Sequence, residues 1–456
     1  MQPLVIRNGR VIDPAQRLDA VADILLQDGR VRAIAVRGQA ELGRPDGAVE
    51  LDADGLVVCP GFIDLHAHLR EPGFEYKETI ATGTRAAAAG GFTTVCCMAN
   101  TNPPIDTRAT VEYVLRTAAR EGVIRVLPVA AITRGLAGCE LTEMADLAEA
   151  GAVGFSDDGK PVVSGQVMRR AMEYASMLGR PIMPHLEDPS LAEGGVMNEG
   201  PVATRLGLRG IAPEAEEVEL YRDLALARLT GCHLHVLHVS TAGSVELLRR
   251  AKERGIRVTA EVTPHHLTLT DELVAGQWRS AAWRLEPYDT RTKVNPPLRS
   301  AADVRAVLDG LKDGTIDCIA TDHAPHADVD KNVDYDSAAF GISGFETALG
   351  LLLGLVREGE ITLPFLIERL TLRPAEILNL PYGRLTPGSA ADVTLFDPEQ
   401  EWDVDPQRFL SKGKNTPLAG ATLRGKVQLT LFGGQPAYVG ERLQGVLNLN
   451  MGWGGK

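Results

Sequence analysis

The sequence contains no hydrophobic run long enough to cross a lipid bilayer. Its longest apolar stretch covers residues 348–356, far short of the roughly 20 residues that a membrane helix needs. Residues 1–13 alternate apolar side chains with Arg7 and Arg10, and they lack the apolar core of a signal peptide. We therefore expect a cytoplasmic protein that makes no contact with membranes.

Positive charge is in deficit. The chain carries 47 Lys and Arg against 60 Asp and Glu, which gives a net charge of −13. A protein with this charge repels nucleic acid and anionic lipid, so neither is an expected partner. An anionic substrate would need a local cationic site.

Cysteine patterns typical of a disulfide framework or a zinc finger are also absent. The six cysteines show no CxxC spacing and lie in or near apolar, strand-like segments. We predict that all of them are reduced core residues. They are Cys59, Cys96, Cys97, Cys139, Cys232 and Cys318.

The two ends of the chain have the same β-rich texture. Near the start, short apolar segments are joined by Asn8-Gly9 and Asp28-Gly29, which are typical hairpin turns. Residues 391–397 and 425–432 alternate or run apolar between Pro and Gly. We predict one small β-sandwich built from residues 1–59 and 384–442, followed by a flexible, glycine-containing tail at 443–456.

Between these ends, apolar strand-like runs alternate with helical stretches. The predicted strands cover residues 61–66, 92–98, 124–130, 152–156, 181–185, 233–238, 256–262 and 316–321. The predicted helices cover residues 77–89, 107–120, 141–149, 165–178, 215–229, 242–254, 301–311 and 345–356. Eight strand–helix units favour an α/β fold of the TIM (β/α)8 barrel type over residues 60–383. A doubly wound dinucleotide fold is disfavoured because no GxGxxG follows the first strand.

All ten histidines fall between residues 66 and 326, so histidine chemistry belongs to the predicted barrel. His66 and His68 are two apart on a strand, where alternate side chains share a face. Such a pair is consistent with metal binding and equally with a structural, hydrogen-bonded pair.

Further candidate ligands end other predicted strands. They are Asp157 or Asp158, His185, His238 and Asp322. The carboxyl ends of barrel strands meet on one face, so these side chains could surround one or two cations. Imidazole with carboxylate suits zinc first, with cobalt or manganese as substitutes. Spacing alone does not decide between Asp157 and Asp158.

The other histidines have different expected roles. His233 and His235 alternate to the face opposite His238, which favours packing or hydrogen bonding. His265 and His266 follow the seventh strand, and a role behind the metal ligands stays open. His326, further into the loop after Asp322, is better placed to meet a substrate.

Four motifs carry a resemblance to a known family. Residues 60–73, Pro-Gly-Phe-Ile-Asp-Leu-His-Ala-His-Leu-Arg-Glu-Pro-Gly, resemble the opening signature of dihydroorotases in the amidohydrolase superfamily. Residues 320–326, Ala-Thr-Asp-His-Ala-Pro-His, resemble the second signature, and residues 295–299 and 340–342 resemble the substrate loops. The similarity extends from Val5 to about Val439.

The resemblance implies the interconversion of N-carbamoyl-L-aspartate and (S)-dihydroorotate in pyrimidine biosynthesis. It implies a metal-bound hydroxide as nucleophile, Asp322 as general acid and base, and two zinc ions, although one would also fit. The implied zinc ligands are His66, His68, Asp158, which would bridge, His185, His238 and Asp322. The implied substrate contacts are His68, Arg70, Asn100, Asn295, His326, Phe340 and Gly341.

Within the superfamily, hydantoinases and allantoinases usually carry a carboxylated lysine after the Phe of strand four. This chain has Ser156 there, followed by the Asp157-Asp158-Gly159 of the bacterial class I dihydroorotases. Two features depart from the family pattern. Ala99 replaces the usual proline before Asn100, and the stretch 277–292, with Trp278 and Trp283, is unusually long. That stretch is either a partner contact or a surface excursion, and we favour the latter.

Two alternative functions are weighed beside a dihydroorotase. The first is a hydantoinase-like or allantoinase-like cyclic amidohydrolase, which Ser156 and the Arg70–Asn100 pair oppose. The second is a non-catalytic scaffold for a transcarbamoylase, which the six filled ligand positions oppose. A homodimer and an association with aspartate transcarbamoylase are both compatible with the resemblance.

Overall fold

The computed structural model of the chain describes residues 2–277 and 283–444. Trp278 and residues 445–456 of the predicted tail lie outside this part. The strands are β1 Leu4–Asp13, β2 Leu18–Gln27, β3 Arg30–Val36, β4 Val49–Asp52, β5 Val57–Pro60, β6 Phe62–Ala67, β7 Phe92–Cys97, β8 Arg125–Ala130, β9 Gly154–Phe155, β10 Met197–Asn198, β11 Gly210–Ile211, β12 Leu234–Val236, β13 Val258–Val262, β14 Cys318–Ile319, β15 Val393–Asp403, β16 Thr422–Phe432 and β17 Gln435–Val439.

Helices separate most of the later strands. They are α1 Ile80–Ala89, α2 Arg108–Glu121, α3 Met144–Ala150, α4 Gly165–Leu178, α5 Pro189–Ala192, α6 Pro201–Leu206, α7 Glu214–Thr230, α8 Ala242–Glu253, α9 Pro264–Thr268, α10 Ala301–Asp313, α11 Asp328–Lys331, α12 Phe345–Arg357, α13 Leu363–Leu370 and α14 Leu372–Ile377. Each of the eight predicted helices has a counterpart in this set. No helix in the described ranges has the length and apolar character of a bilayer span.

Strands from both ends of the chain pair in one mixed sheet of eight strands. The order is β17-β16-β15-β5-β1-β2-β3, and β4 pairs with β1. The joint between the two ends is the antiparallel pair of β5 and β15, in which Val393 lies opposite Pro60. Buried apolar residues of both ends, including Ile6, Leu51 and Leu429, pack in one cluster.

The middle of the chain forms a circuit of parallel strands. Ladders join β6, β7, β8 and β9, and a second set joins β12, β13 and β14. Ile182 bridges Phe155 of β9 to Leu234 of β12, and Ala67 of β6 bridges His323 after β14. The parallel pairing therefore returns to the strand at which it began.

The predicted strand at residues 181–185 is wrong in its length. Only Ile182 makes β-bridges, because Pro181 and Pro184 have no N–H group to donate to a ladder. The neighbouring strands β9 and β14 are also short, with two residues each.

The prediction for cysteines is wrong at one position. Five are buried, but Cys139 is exposed. Cys139 lies in the turn between β8 and α3, outside the apolar strands that bury the other five.

Hydroxyl side chains begin several helices of the circuit. The Oγ atoms of Thr79, Thr107, Thr241 and Ser300 accept hydrogen bonds from backbone N–H groups three residues later, at 3.1 to 3.3 Å. Each such cap stabilises its helix by about 1 kcal/mol. Since these helices follow strands, the caps also fix the loops at the carboxyl ends of those strands.

A partly buried ion pair joins the circuit to the terminal sheet. Arg125 Nη1 donates to Asp392 Oδ2 at 2.9 Å and to Thr94 Oγ1 at 2.8 Å. The guanidinium also lies 3.5 Å from the centre of the Tyr382 ring. Because Asp392 directly precedes β15, this contact sets the terminal sheet against β7 and β8.

Glu346 provides a test of this packing through pH. Its Oε1 accepts hydrogen bonds from Leu410 N at 2.9 Å and Ser411 N at 3.2 Å, which tie α12 to the segment before β16. Burial raises the pKa of Glu346 from 4.5 to about 7. Between these values the folded chain holds a proton that the unfolded chain releases, so the free energy of unfolding falls as pH rises.

We predict that this fall amounts to at most about 3 kcal/mol between about pH 5 and about pH 8. Glu346→Gln should remove this contribution and so give a smaller fall than the parent shows, as measured by denaturant unfolding across that range. A fall remains in the variant, because burial also raises the pKa of Asp64 and of Glu219 to about 7. Glu358→Gln, at an exposed position directly after α12, is the control and should keep the pH dependence of the parent. Equal slopes for the parent and Glu346→Gln would contradict the prediction.

Candidate metal centre and active site

Six predicted ligands meet at the carboxyl ends of the parallel strands. His66 lies in β6 and His68 just after it, Asp158 follows β9, and Asp322 follows β14. His185 follows the bridge at Ile182, and His238 follows β12. All six are buried, with at most 5% of each residue exposed. Chain segments far apart in sequence are brought together here because parallel strands end at one edge.

Asp158 lies at the centre of the cluster. Its carboxylate oxygens are 3.4 to 3.7 Å from ring nitrogens of the four histidines. Asp322 Oδ1 is 3.0 Å from His68 Nε2 and 3.5 Å from His66 Nε2. Ligands that lie about 2.0–2.2 Å from a shared zinc ion are separated by distances of this size.

The cluster passes a chemical test for a divalent cation. Buried His66 Nε2 has no hydrogen-bond partner among the described residues, although it faces two carboxylates. An unsatisfied buried nitrogen costs about 1–3 kcal/mol, which a coordinate bond would offset. Two groups, His66–Asp158–His238 and His66–His68–Asp322, each place their ligand atoms within 4.8 Å of one another. The residues present therefore fit a metal ion.

The two carboxyl groups are held in the form that binds metal. Burial alone would raise the pKa of Asp158, but the charge of His66 and the nearby ring nitrogens of His185 and His238 hold it well below its usual range. For Asp322, His66 and His68 likewise outweigh burial and lower the pKa. Both side chains are ionised at neutral pH, as metal ligands must be.

The backbone is strained at three site residues. Arg70, His238 and Asp322 have φ angles of 63°, 31° and 46°, in the left-handed region that costs a non-glycine residue about 1–3 kcal/mol. Asp64 supports Asp322, since it accepts hydrogen bonds from Thr321 N and Oγ1. Such strain is typical of functional sites, where surrounding contacts enforce it.

The structure gives Asp157 and Asp158 different surroundings. Asp157 accepts hydrogen bonds from Ile132 N at 2.7 Å and Thr133 N at 3.0 Å, and from the Thr133 hydroxyl. Its carboxylate is therefore occupied by the turn after β8. Asp158 is the one that lies among the histidines.

A cavity of about 190 Å³ adjoins the cluster. Its lining includes every residue that the sequence predicted to contact substrate. These are His68, Arg70, Asn100, Asn295, His326, Phe340 and Gly341.

Arg70 supplies positive charge to this cavity. Its Nε donates to Pro325 O at 3.2 Å, and it has no carboxylate within ion-pair distance among the described residues. Glu71 instead accepts hydrogen bonds from Ile80 N and Tyr113 Oη, at 2.9 Å each. The guanidinium is thus held in place, and its positive charge is available to bind an anionic ligand.

The two asparagines of the cavity are already oriented by hydrogen bonds. Asn100 Oδ1 is 2.9 Å from His68 Nδ1, and its Nδ2 donates to Asp158 Oδ2 at 3.2 Å. Asn295 Nδ2 donates to Glu187 Oε2 at 2.8 Å. Asn100 therefore connects the ligand cluster directly to the cavity wall.

His326 is a neutral imidazole in this structure. Burial and the charges of Arg70, Lys77 and Lys331 hold its pKa well below the ordinary value. Its Nε2 lies 2.8 Å from Phe340 O, which can only accept, so Nε2 carries the proton and donates there. Nδ1 is then the acceptor that faces Lys77 Nζ at 3.3 Å, and Arg70 Nη2 lies 3.3 Å from Nε2.

The backbone of Phe340 and Gly341 is occupied within the protein. Phe340 O accepts from His326, and Gly341 N donates to Lys293 O at 2.9 Å. Asn415 Nδ2 holds Gly341 O at 2.9 Å. These peptide groups form part of the cavity wall. Their main hydrogen bonds are already made within the protein before a ligand binds.

Sequence reasoning missed three residues of the site: Lys77, Glu261 and Asn415. Glu261 is a fully buried acid in β13, 2.8 Å from His66 Nδ1. A lone acid inside an apolar strand was the available signal for it. Lys77 and Asn415 gave no signal, because their loops approach the site only in the folded chain.

The fold has close relatives among solved structures. The L-hydantoinase (dihydropyrimidinase) from Arthrobacter aurescens matches with a TM-score of 0.82 at 27% identity, over 96% of each chain. Together with the cluster of His and Asp ligands beside a cavity, this likeness defines a metal-dependent hydrolase of the amidohydrolase type, which acts on cyclic amide bonds.

Sequence relatives narrow the class further. A dihydroorotase from Syntrophus aciditrophicus (strain SB) is 52% identical over 435 residues, 95% of this chain and 99% of the relative. A dihydroorotase from Anaeromyxobacter dehalogenans (strain 2CP-C) is 54% identical over 432 residues, 95% of this chain and 97% of the relative. A family model described as Dihydro-orotase-like matches residues 55–244. The chain belongs to the dihydroorotase family.

Gly73 offers a test of how the loops hold this site. Its φ is +94°, and an added Cβ would lie 1.9 Å from Asn102 O. Gly73→Ala must therefore separate the loops that carry Arg70 and Asn100. We predict that KM for dihydroorotate rises roughly tenfold or more, as measured by steady-state kinetics.

Gly38→Ala is the matched control. Its φ of +82° imposes similar strain, but no heavy atom lies within 4 Å of the added Cβ. It should lose stability without a change in KM. A parental KM in Gly73→Ala would show that the contact with Asn102 does not matter for binding.

Proposed function

We propose that this dihydroorotase interconverts N-carbamoyl-L-aspartate and (S)-dihydroorotate in pyrimidine biosynthesis, at the cavity beside the His and Asp cluster. The observation that carries the proposal is the combination of six buried ligands with Arg70, a cation without a carboxylate partner in the described residues. An acidic chain that binds an anionic substrate needs such a local positive charge.

We infer that the circuit of parallel strands is a TIM barrel spanning residues 60–383. Its support is the pairing that returns to β6, together with the likeness to a hydantoinase over nearly the whole chain. The mixed sheet would then be the accompanying β-sandwich, from residues 1–59 and 384–442. A site at the carboxyl ends of the strands agrees with this architecture.

We propose two Zn²⁺ ions as cofactor, with Asp158 shared between them. The other ligands would be His66, His68, His185, His238 and Asp322. Mixed imidazole and carboxylate donors suit zinc. When bound, zinc would lower the pKa of a water nucleophile to near neutral pH, and the metal would also polarise the carbonyl under attack.

Asp322 is the proposed general acid and base. It lines the cavity and is ionised, so it begins the ring-opening direction as a proton acceptor. It takes the proton of the attacking water and delivers it to the ring nitrogen that leaves. In ring closure the same carboxylate removes that proton from the attacking nitrogen and delivers it to the oxygen that leaves the carboxyl carbon as water.

The substrate carboxylate is assigned to Arg70 and Asn100. A guanidinium binds a carboxylate through two parallel charge-assisted hydrogen bonds, which fix its orientation as well as its position. Asn295 and His326 complete the proposed contacts from the opposite loops. His326, as a neutral Nε2–H imidazole, adds no charge that would compete with Arg70.

Ser156 favours a dihydroorotase over a hydantoinase. It stands where the resemblance expects a carboxylated lysine in hydantoinases, and its buried Oγ has no partner among the described residues. The bridging role is then left to Asp158. A cytoplasmic location, a homodimer and an association with aspartate transcarbamoylase stay predictions from the sequence.

The metal and Asp322 can be tested together. Removal of metal with a chelator and the variant Asp322→Ala should each lower the rate of dihydroorotate hydrolysis, by roughly 10²–10⁴-fold for Asp322→Ala. Hydantoin and allantoin, assayed beside dihydroorotate with metal content measured on the same sample, should be poor substrates. Asp309→Ala, on the surface of α10, is the control and should keep the rate of the parent. A fully active Asp322→Ala enzyme would contradict the mechanism.

Lys77 gives a second test, directed at substrate binding. Its ammonium group donates to His326 Nδ1 at 3.3 Å, which favours the Nε2–H form, and it also pairs with Asp330 Oδ2 at 3.5 Å. We predict that Lys77→Met raises KM for dihydroorotate roughly tenfold, with a smaller effect on kcat. Lys77→Arg should keep most of the affinity, and Lys426→Met, on the terminal sheet, should have none of this effect. An unchanged KM in Lys77→Met would refute this role.

A further inference from the structure

A line of four hydrogen bonds runs from the cluster of His and Asp ligands into the interior of the strand circuit. His66 Nδ1 lies 2.8 Å from Glu261 Oε1, and Glu261 Oε2 lies 3.1 Å from His235 Nε2. His235 Nδ1 lies 2.9 Å from Thr259 Oγ1, which lies 2.8 Å from His233 Nε2. His66, His235 and Glu261 are fully buried, and His233 is 9% exposed.

With neutral imidazoles, one arrangement of protons satisfies all four bonds when His66 Nε2 is reserved for a metal ion. His66 then carries its proton on Nδ1 and donates to Glu261. An ionised Glu261 can only accept, so His235 must also donate to it, from Nε2. His235 Nδ1 is left as an acceptor for the Thr259 hydroxyl, whose oxygen accepts from His233 Nε2–H.

We propose that Glu261 is a positioning residue of the metal centre: it fixes the tautomer and ring orientation of His66, and the His235–Thr259–His233 chain holds it in place. The inference rests on the proposed function, since it takes His66 as a metal ligand. A carboxylate behind a ligating histidine directs the free lone pair at the metal and makes the nitrogen a better donor.

The chemistry of Glu261 is specific to a carboxylate. Glutamine has nearly the same shape, but its amide NH₂ group is a hydrogen-bond donor. It would face the N–H group of an imidazole, which is also a donor, so one of the two hydrogen bonds would be lost. Either His66 or His235 would then have to change its tautomer or turn its ring. If His66 changes its tautomer, its Nε2 carries the proton and no longer offers a lone pair to the metal.

An alternative role for Glu261, as ligand of a separate ion with His235 and Cys318, is disfavoured by the same contacts. Ligand atoms of these three residues lie within 4.8 Å of one another. However, both Glu261 oxygens already accept hydrogen bonds from imidazoles, and burial raises the pKa of the Cys318 thiol well above its usual value. A protonated thiol is a poor metal ligand.

The test is zinc affinity, measured on folded, metal-free protein by competition with a chromophoric chelator. Glu261→Gln should bind zinc about 10- to 100-fold more weakly than the parent. Asp223→Asn is the matched control, because it removes an equally buried carboxylate whose partner, Arg222, is on the same helix. It should bind zinc as the parent does. Far-UV circular dichroism of each metal-free variant checks that it is folded.

Each outcome has a distinct meaning. A parent enzyme that binds no zinc would overturn the proposed function itself. A parent that binds zinc, with Glu261→Gln within about twofold of it or Asp223→Asn equally weakened, would overturn the role of Glu261 alone.

Thr259→Val covers the case in which Glu261→Gln does not fold. The valine leaves His235 Nδ1 without a donor while it preserves the shape of the side chain. We expect zinc affinity to fall several-fold, roughly two- to fivefold, because the chain then holds Glu261 less firmly. An affinity equal to that of the parent would overturn the proposal in this variant too.

Discussion

The hydrogen bond from His68 N to His323 O, at 2.9 Å, joins the last parallel strand to the first. Closure of this circuit is the constraint on which the site depends. Apart from His66 and His68, which share one strand end, each ligand comes from a different stretch of sequence and is not held near the others by local structure. They meet because closed parallel pairing brings the carboxyl ends of all strands around one axis. The same closure sets His68 between Asp322 and Asn100, so the ligand cluster and the cavity wall share one residue.

Burying two ionised carboxylates and several imidazoles opposes folding, because charged groups lose their hydration. The structure offsets part of this cost with hydrogen bonds behind the ligands, which Asp64 accepts from the Thr321 segment and Glu261 accepts from His66. The rest of the cost remains in the ligand cluster, where buried His66 Nε2 has no hydrogen-bond partner among the described residues. Metal binding and the stability of this region are therefore linked: a cation that satisfies the cluster also stabilises the folded chain.

Much of the fold and the ligand set could be predicted because strand periodicity and the positions of strand ends are local in sequence. His66, His68, Asp158, His185, His238 and Asp322 lie at such ends, and motif resemblance chose Asp158 over Asp157. The predictions that were wrong or missing depended on hydrogen-bond donors, turns and long-range contacts, which the strand pattern does not report. Pro181 and Pro184 removed the donors of a predicted strand, and Cys139 fell in a turn. Lys77, Glu261 and Asn415 reach the site through contacts between distant segments, which no spacing in the sequence encodes. Trp283, expected on a surface excursion, is instead 7% exposed and packs in an apolar cluster.

The pairing of β5 with β15 has a consequence for the order of events during synthesis. Pro60 lies opposite Val393, so β5 waits for a partner strand that is synthesised more than 300 residues later, although β1 to β4 can pair among themselves. The parallel circuit, whose successive strands pair mostly with neighbours in sequence, can assemble in the meantime. The terminal sheet is thus the last part of the molecule to become complete, and the apolar side chains of β1, β2 and β5 are the surface most in need of protection in a nascent chain.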